Sequence, residues 1–327
     1  MTIRMRQYAG LTDLQPIIDI KIACTTAENI YDYPTVSDLG ELLAPIQSEK
    51  TPMGASWEEE ERTLNGDRYR RAMTQQATAL WEDEGQIVAY ALFAFPSTVL
   101  VSQVHPSTRG SGIETQILAW GIERIHTARE ERGRHLSLWC RCHESETERR
   151  AFLEDALFEP QPWRDLRMIR SLDHPVPDTT LPPGFLLRLG VSEEELERYQ
   201  DLHRAVFDGT SMGLDYHRSR AYQPDLDLIA VSPDGSFVAF CLCQLKQVAD
   251  SSGEYTIGEI GVIGTHPGYQ KRGLGRALLL SGMQRLKARG AKSAYLETQD
   301  GETAPLHLFM LAGFHTVSAW HWFTKEV

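Results

Sequence analysis

The sequence predicts a mixed α/β fold built twice in tandem, each copy a twisted mixed sheet flanked by helices. Three observations predict it. Residues 105–114 align without a gap to residues 266–275, and the match continues as Leu118 with Leu279, Gly121 with Gly282 and Arg124 with Arg285. In both copies strand-like runs lead into one amphipathic helix, and a strand, a short helix and further strands follow. Between the copies, residues 173–184 hold four prolines, which favours an extended linker.

In chain order, residues 3–7 alternate like a first strand. Thr12-Asp13-Leu14-Gln15-Pro16 opens a helix, with Thr12 or Asp13 as N-cap. Residues 34–76 read as polar helix, with the acidic run Trp57-Glu58-Glu59-Glu60-Glu61 a solvated helix start. Residues 79–81, 86–95 and 98–105 read as three strands. The glycine loop and its helix follow, and residues 152–158 echo 308–314. The second copy restarts with a strand at residues 185–189. Ser192-Glu193-Glu194-Glu195 gives a capping-box start to a helix running through Ala205. Residues 226–231 and 236–245 form a hairpin across Ser232-Pro233-Asp234-Gly235. After the central helix come a strand at 293–298, a short helix at 303–312 and the last strands at 314–324. The division expected is 1–172, a linker at 173–184, and 185–327.

Composition bounds the rest. A chain of 327 residues suits two domains. The net charge of −12 argues against nucleic acid or an anionic membrane as partner. No apolar run is long enough to span a bilayer, and the N-terminus lacks a signal-peptide pattern, so a cytoplasmic location is expected. The five cysteines include two C-x-C pairs in strand-like runs, which reads as buried free thiols and no metal site.

The chemistry centres on residues 254–289. A strand over 255–265 is stopped by His266-Pro267-Gly268, since proline brings no N–H to a ladder. The loop Gln270-Lys271-Arg272-Gly273-Leu274-Gly275-Arg276 then opens a helix in which Leu274, Ala277, Leu278, Met283 and Leu286 recur near a 3.6 period. A helix N-terminus points several N–H groups one way and adds positive potential. Gly273 and Gly275 let an anion approach that backbone, and Lys271, Arg272 and Arg276 add full charges: a phosphate or pyrophosphate site. The dinucleotide fingerprint would need a third glycine where Leu278 stands, and no Walker Gly-Lys-Ser/Thr is present. In the first copy Glu114 replaces the second loop glycine, and Gly110 and Ser111 replace Lys271 and Arg272, so that copy is expected not to hold the same ligand.

Residues 270–275 fit the Gln/Arg-x-x-Gly-x-Gly/Ala loop at every position, and Gly313-Phe314 follows. The chain resembles the GNAT superfamily of N-acetyltransferases, in the tandem form of the mycothiol-synthase-like group. The resemblance covers 184–327; over 1–172 it rests on the repeat. It implies acetyl-CoA as co-substrate, its pyrophosphate on residues 270–276. It also implies a strand bulge that splays two parallel strands, with Ile263, Gly264 and Thr265 pairing to the pantetheine arm and a bulge N–H polarising the thioester carbonyl. Plain packing is the other reading of Gly258, Gly261 and Gly264.

Transfer to an amine needs a base, and a carboxylate can serve, directly or through water. Glu259, six residues before Thr265, stands where some relatives carry a catalytic Glu; Glu254, nearer the hairpin end, is the lesser candidate. The family's usual tyrosine acid falls at Phe309, which cannot donate, leaving Tyr295, His307 or water; the usual asparagine is missing at residues 300–302. Trp320 and Trp322 read as core or domain interface, and Asp208, Asp215 and Tyr216 are placed near the acceptor by analogy. The expected function is acetyl transfer from acetyl-CoA to a primary amine of a small molecule, by a monomer whose copies form an internal pseudo-dimer. An acyl-CoA sensor without turnover is the alternative.

Overall fold

The computed structural model describes residues 2–26, 29, 34–43, 78–94, 98–133, 135–207, 217, 222–250 and 253–327. The acidic run at 57–61, most of the expected helix at 34–76, and Asp208, Asp215 and Tyr216 lie outside the described residues. The first half runs β1 (Arg4–Gln7), α1 (Leu11–Cys24), α2 (Val36–Leu43), β2 (Thr78–Asp83), β3 (Gln86–Ala94), β4 (Val99–Val104), α3 (Ile113–Arg132), β5 (Ser137–His143), α4 (Thr147–Asp155) and β6 (Glu159–Ser171). The second runs β7 (Leu186–Leu189), α5 (Leu196–Val206), β8 (Asp227–Val231), β9 (Phe237–Asp250), β10 (Gly253–Thr265), α6 (Leu274–Ala288), β11 (Ser293–Gln299), α7 (Thr303–Leu311) and β12 (His315–Glu326). The repeat seen in the sequence is therefore a repeat of elements.

Local chemistry sets the boundaries. Ser192 and Glu195 form the expected capping box, ahead of a 3-10 turn that leads into α5. The α1 start differs from expectation: the helix opens one residue after Gly10. Asp13 is not its cap. Its carboxylate accepts the Ala9 N–H at 2.7 Å and two Arg6 N–H groups at 2.7 Å each, partners stronger than a helix terminus offers.

All twelve strands form one sheet, in the order β1-β2-β3-β4-β5-β12-β6-β11-β10-β9-β8-β7. The order reads the same from either end once each strand is replaced by its repeat partner. The two halves exchange their closing strands: β12 lies between β5 and β6, and β6 lies between β12 and β11. Side chains fasten the seam. Trp322 donates its indole N–H to Asp165 at 2.6 Å, and Arg164 pairs with Asp300 at 3.0 Å. Trp320 and Trp322 thus sit between the halves, as the interface reading had them.

Alternate residues pack opposite faces. Leu228 and Ala230 join the core under α6, while Ile229 joins Tyr199 and Leu202 of α5. The first half repeats this, with Trp81 under α3 and Leu80 against α1 and α2. Gly121 and Gly282 let α3 and α6 reach the sheet: a Cβ would stand 2.8 Å from Leu100 Cδ2 at Gly121 and 2.7 Å from Cys243 Sγ at Gly282. All five cysteines are free and buried.

The exchange makes a prediction. A fragment of residues 173–327 lacks β6 and exposes the edge of β11. It is expected to lose its cooperative thermal transition, and a fragment of residues 159–327 to regain it. A 173–327 fragment melting at the full chain's midpoint would contradict the exchange as described.

Candidate active site

The glycine loop has the backbone shape of an anion nest. His266 holds the turn by accepting the Gly268 N–H at 3.1 Å, and a 3-10 turn over Pro267–Tyr269 follows. Lys271 and Gly273 then take left-handed φ values of 60° and 83°. Left-handed residues interleaved in such a loop curl successive N–H groups into a concave nest. A non-glycine in that region costs about 1–3 kcal/mol, which the surrounding turn must offset at Lys271. Gly273 has open space around it, and a Cβ at Gly275 would meet Thr265 Oγ1 no closer than 3.4 Å. Packing does not demand either glycine. Lys271, Arg272 and Arg276 are exposed, and Arg272 lies 5.1 Å from the Tyr269 ring centroid.

The strand before the loop splits from its neighbour. β10 and β11 pair in parallel only at Gly258–Ala294 and Glu259–Tyr295. On the other edge, β10 slips register against β9 between Ile260 and Val262, which makes Gly261 the bulge. Beyond it, Val262, Ile263, Gly264 and Thr265 run on to the loop with no described strand on their β11 side. An open edge of this kind offers backbone N–H and C=O groups to an extended ligand. The three strand glycines have different causes. Gly258 and Gly264 are close-packed, their Cβ positions 2.6 Å from Leu286 Cδ1 and from Val206 Cγ1, whereas Gly261 is exposed at the bulge.

Glu259 stands at the last rung before the split, beside Tyr295. Its side chain keeps 27% exposure, and Lys246 Nζ lies 3.7 Å from its carboxylate. Burial pushes the Glu259 carboxyl above its ordinary range; Lys246 opposes the push and Asp38 adds to it. Asp38 comes from α2 of the first half and pairs with Lys246 at 2.6 Å, so both halves set the charge at this carboxylate. On the next strand Glu297 meets Arg167, which is 1% exposed, and Arg141 at 3.3 Å. Burial acts to raise the Glu297 carboxyl, but the two guanidiniums outweigh it and hold it at about 2. Glu297 is thus a fixed anion, and Glu259 is the carboxylate of the pair suited to taking up a proton.

The other sequence candidates fall further out. Glu254 is exposed near the β9–β10 turn, and His307 is exposed on α7. Phe309 is core, edge-on to Phe314 at 6.2 Å between centroids. The sequence reading missed Asp38, Lys246, Arg141, Arg167 and Glu297. The signal was charge inside strand-like runs for four of them and a helix-face carboxylate for Asp38, and only the tertiary packing brings them together.

The first half repeats the backbone geometry with different side chains. Gly110 and Gly112 take φ values of 72° and 90° where Lys271 and Gly273 stand in the second. There Glu114 folds its own carboxylate onto the Gly110 N–H at 3.0 Å. The nest is closed from inside by an anion of the chain itself.

Comparison with known proteins agrees with this geometry. The model of the acetyltransferase (GNAT) family matches residues 193–314. A mycothiol acetyltransferase of Thermobispora bispora is 30% identical over 227 residues, 67% of this chain and 72% of that protein. One from Frankia casuarinae is 26% identical over 255 residues, 73% of this chain and 72% of that protein. Among solved structures, the GCN5-related N-acetyltransferase from Sphaerobacter thermophilus superposes with a TM-score of 0.70 at 22% identity, over 99% of this chain and 95% of that one. A tandem GNAT protein from the clavulanic acid biosynthesis pathway gives 0.66 at 15%, over 99% and 98%. These two show a shared fold.

Copying the first half's plug into the second tests the loop. Gly275→Glu is expected to weaken acetyl-CoA binding about tenfold or more, on the order of 1.4 kcal/mol. The melting temperature should barely move, because Gly275 has an ordinary φ and room for a Cβ. Calorimetry and a thermal melt read the two effects.

Proposed function

Because the chain belongs to the GNAT acetyltransferase family, we propose that its second half moves acetyl from acetyl-CoA to a primary amine of a small molecule by direct transfer. The observation that carries the reading is the coincidence of three features along one strand and the turn that follows it: Glu259, the bulge at Gly261, and the basic nest that begins five residues after Thr265.

Gln270, Lys271, Arg272, Gly273, Leu274, Gly275 and Arg276 would hold the pyrophosphate, and the open edge of Ile263, Gly264 and Thr265 would align the pantetheine arm. Acetyl-CoA bound there supplies an activated acetyl group. Glu259, ionised, takes a proton from the acceptor ammonium through water and frees the nitrogen lone pair for the carbonyl carbon. As the new C–N bond forms and the C–S bond breaks, a bulge N–H steadies the carbonyl oxygen. Phe309 is buried in the core and cannot donate, so we assign to solvent both the second proton that the attacking nitrogen loses on becoming an amide and the proton that the departing sulfur gains. The chain's net charge of −12 favours a cationic acceptor. The curated relatives are named mycothiol acetyltransferases, which supports a small-molecule acceptor over a protein one. We take the first half as a copy that does not bind CoA, the chain as a monomer with an internal pseudo-dimer, and its location as cytoplasmic. Among the described residues no helix is long and apolar enough to cross a membrane. The division at 1–172, 173–184 and 185–327 stands as a proposal about chain order, with β6 and β12 crossing it.

Glu259→Gln should lower kcat by about 10²–10⁴-fold, the usual contribution of a positioned base, with acetyl-CoA affinity kept. In the intact enzyme the rate should fall with decreasing pH as Glu259 gains its proton, at a pH above the ordinary glutamate value near ~4.3. Lys246→Met removes the larger of two cations that lower this pKa, Arg167 being the other, and should move the acid limb upward. Asp38→Asn removes one that raises it and should move the limb downward. Limbs that stay fixed in both variants would remove Glu259 from the base role.

A further inference from the structure

We propose, on the reading of Glu259 and the nest given above, that the second half also acetylates one of its own side chains, moving acetyl from acetyl-CoA to Nζ of Lys246. An amine gives up its proton to Glu259 only from within direct or water-bridged reach. Lys246 Nζ lies 3.7 Å from Glu259 Oε2, and among the described residues no other lysine is in ion-pair contact with that carboxylate. Lys246 of β9 is paired with Ile257 of β10, so its stem leans two residues along β10 to reach Glu259. That lean points toward the bulge at Gly261 and the parting of β10 from β11. Asp38 holds the amine there. Its Oδ1 accepts from Lys246 Nζ at 2.6 Å, while Thr35 donates its backbone N–H and its hydroxyl to Oδ2 at 2.8 Å each. The Lys246 side chain is 12% exposed, whereas Lys271, Lys287 and Lys292 stand in solvent.

The chemistry is that of the acceptor reaction with the chain's own amine in the acceptor's place. Glu259 takes one proton from the Lys246 ammonium, which removes the charge that binds it to Asp38. The flexible four-carbon stem then lets Nζ swing to the thioester. The N–C bond forms as the C–S bond breaks. The nitrogen loses its second proton to water, the sulfur gains one from water, and CoA leaves as the thiol. The proton on Glu259 passes to solvent, so one proton is released for each acetyl moved. The product is an amide without charge. Its ion pair with Asp38, which joins the two halves, is then lost. Glu259 also loses the larger of the cations that oppose its burial, leaving Arg167 against Asp38 and Glu297. Acetylation therefore acts on the site as Lys246→Met does, moving the acid limb upward.

The test incubates the full chain with acetyl-CoA carrying a 13C-labelled acetyl group and follows each lysine by peptide mass spectrometry, with acetyl-CoA binding read by calorimetry on the same preparation. Lys246 is expected to take up label toward one acetyl per chain, about tenfold or more faster than the exposed Lys287 and Lys292, at a rate independent of protein concentration. Glu259→Gln should slow Lys246 by about 10²-fold or more, the lower end for a positioned base, and leave Lys287 and Lys292 as they were. Unlabelled acetyl already on Lys246 is read the same way, by its absence from the Glu259→Gln chain made in the same host. Acetyl-CoA that binds while Lys246 gains label no faster than the exposed lysines would overturn self-acetylation and leave the reading of the second half standing. So would label that Glu259→Gln does not slow, or a rate that rises with protein concentration. No binding of acetyl-CoA would overturn both.

Discussion

The structure depends on a sheet that must come apart in the middle of each half without falling apart. β10 and β11 share two paired residues and then diverge, and β4 and β5 share one. A strand with so little support on one edge must be held on the other. β11 is held by seven paired residues of β6, and β5 by seven of β12. Each supporting strand comes from the other half. The exchange supplies that support, and the split is what leaves a backbone edge open for a ligand.

A shared scaffold then allows the halves to differ in chemistry. Both carry the same turn after the split strand, with His105 and His266 each accepting a backbone N–H two residues on. Both begin the long helix after a left-handed glycine. In the second half the nest is open and ringed by exposed cations. In the first, the Glu114 carboxylate occupies it. The Glu259 neighbourhood belongs to neither half alone, since Asp38, Arg141 and Arg167 come from the first and Lys246, Tyr295 and Glu297 from the second. The first half thus contributes groups to the Glu259 neighbourhood whatever its own slot holds.

Local signals in the sequence were legible, and non-local ones were not. The nest at residues 270–276, the capping box at Ser192 and the tandem repeat could be read because each is written in neighbouring residues whose backbone needs are particular. The bulge was expected from strand glycines, and Gly261 is where it falls, but the sequence could not separate it from the packing glycines Gly258 and Gly264. The α1 cap was misread because Asp13 found Arg6, a partner on a different element. The exchange was invisible, because β6 and β12 carry similar patterns and nothing local states which β5-like edge each will join. The Lys246 and Glu297 pairings likewise depend on register across the sheet.

The most direct measurement is the number of acetyl-CoA molecules held by one chain, read by native mass spectrometry across a concentration series. One per chain, with no second step at higher concentration, is the result expected if the open nest of the second half receives the co-substrate and Glu114 closes the first. Two per chain would mean that the Glu114 plug yields to the ligand, and none would remove the second half's loop from the role given to it.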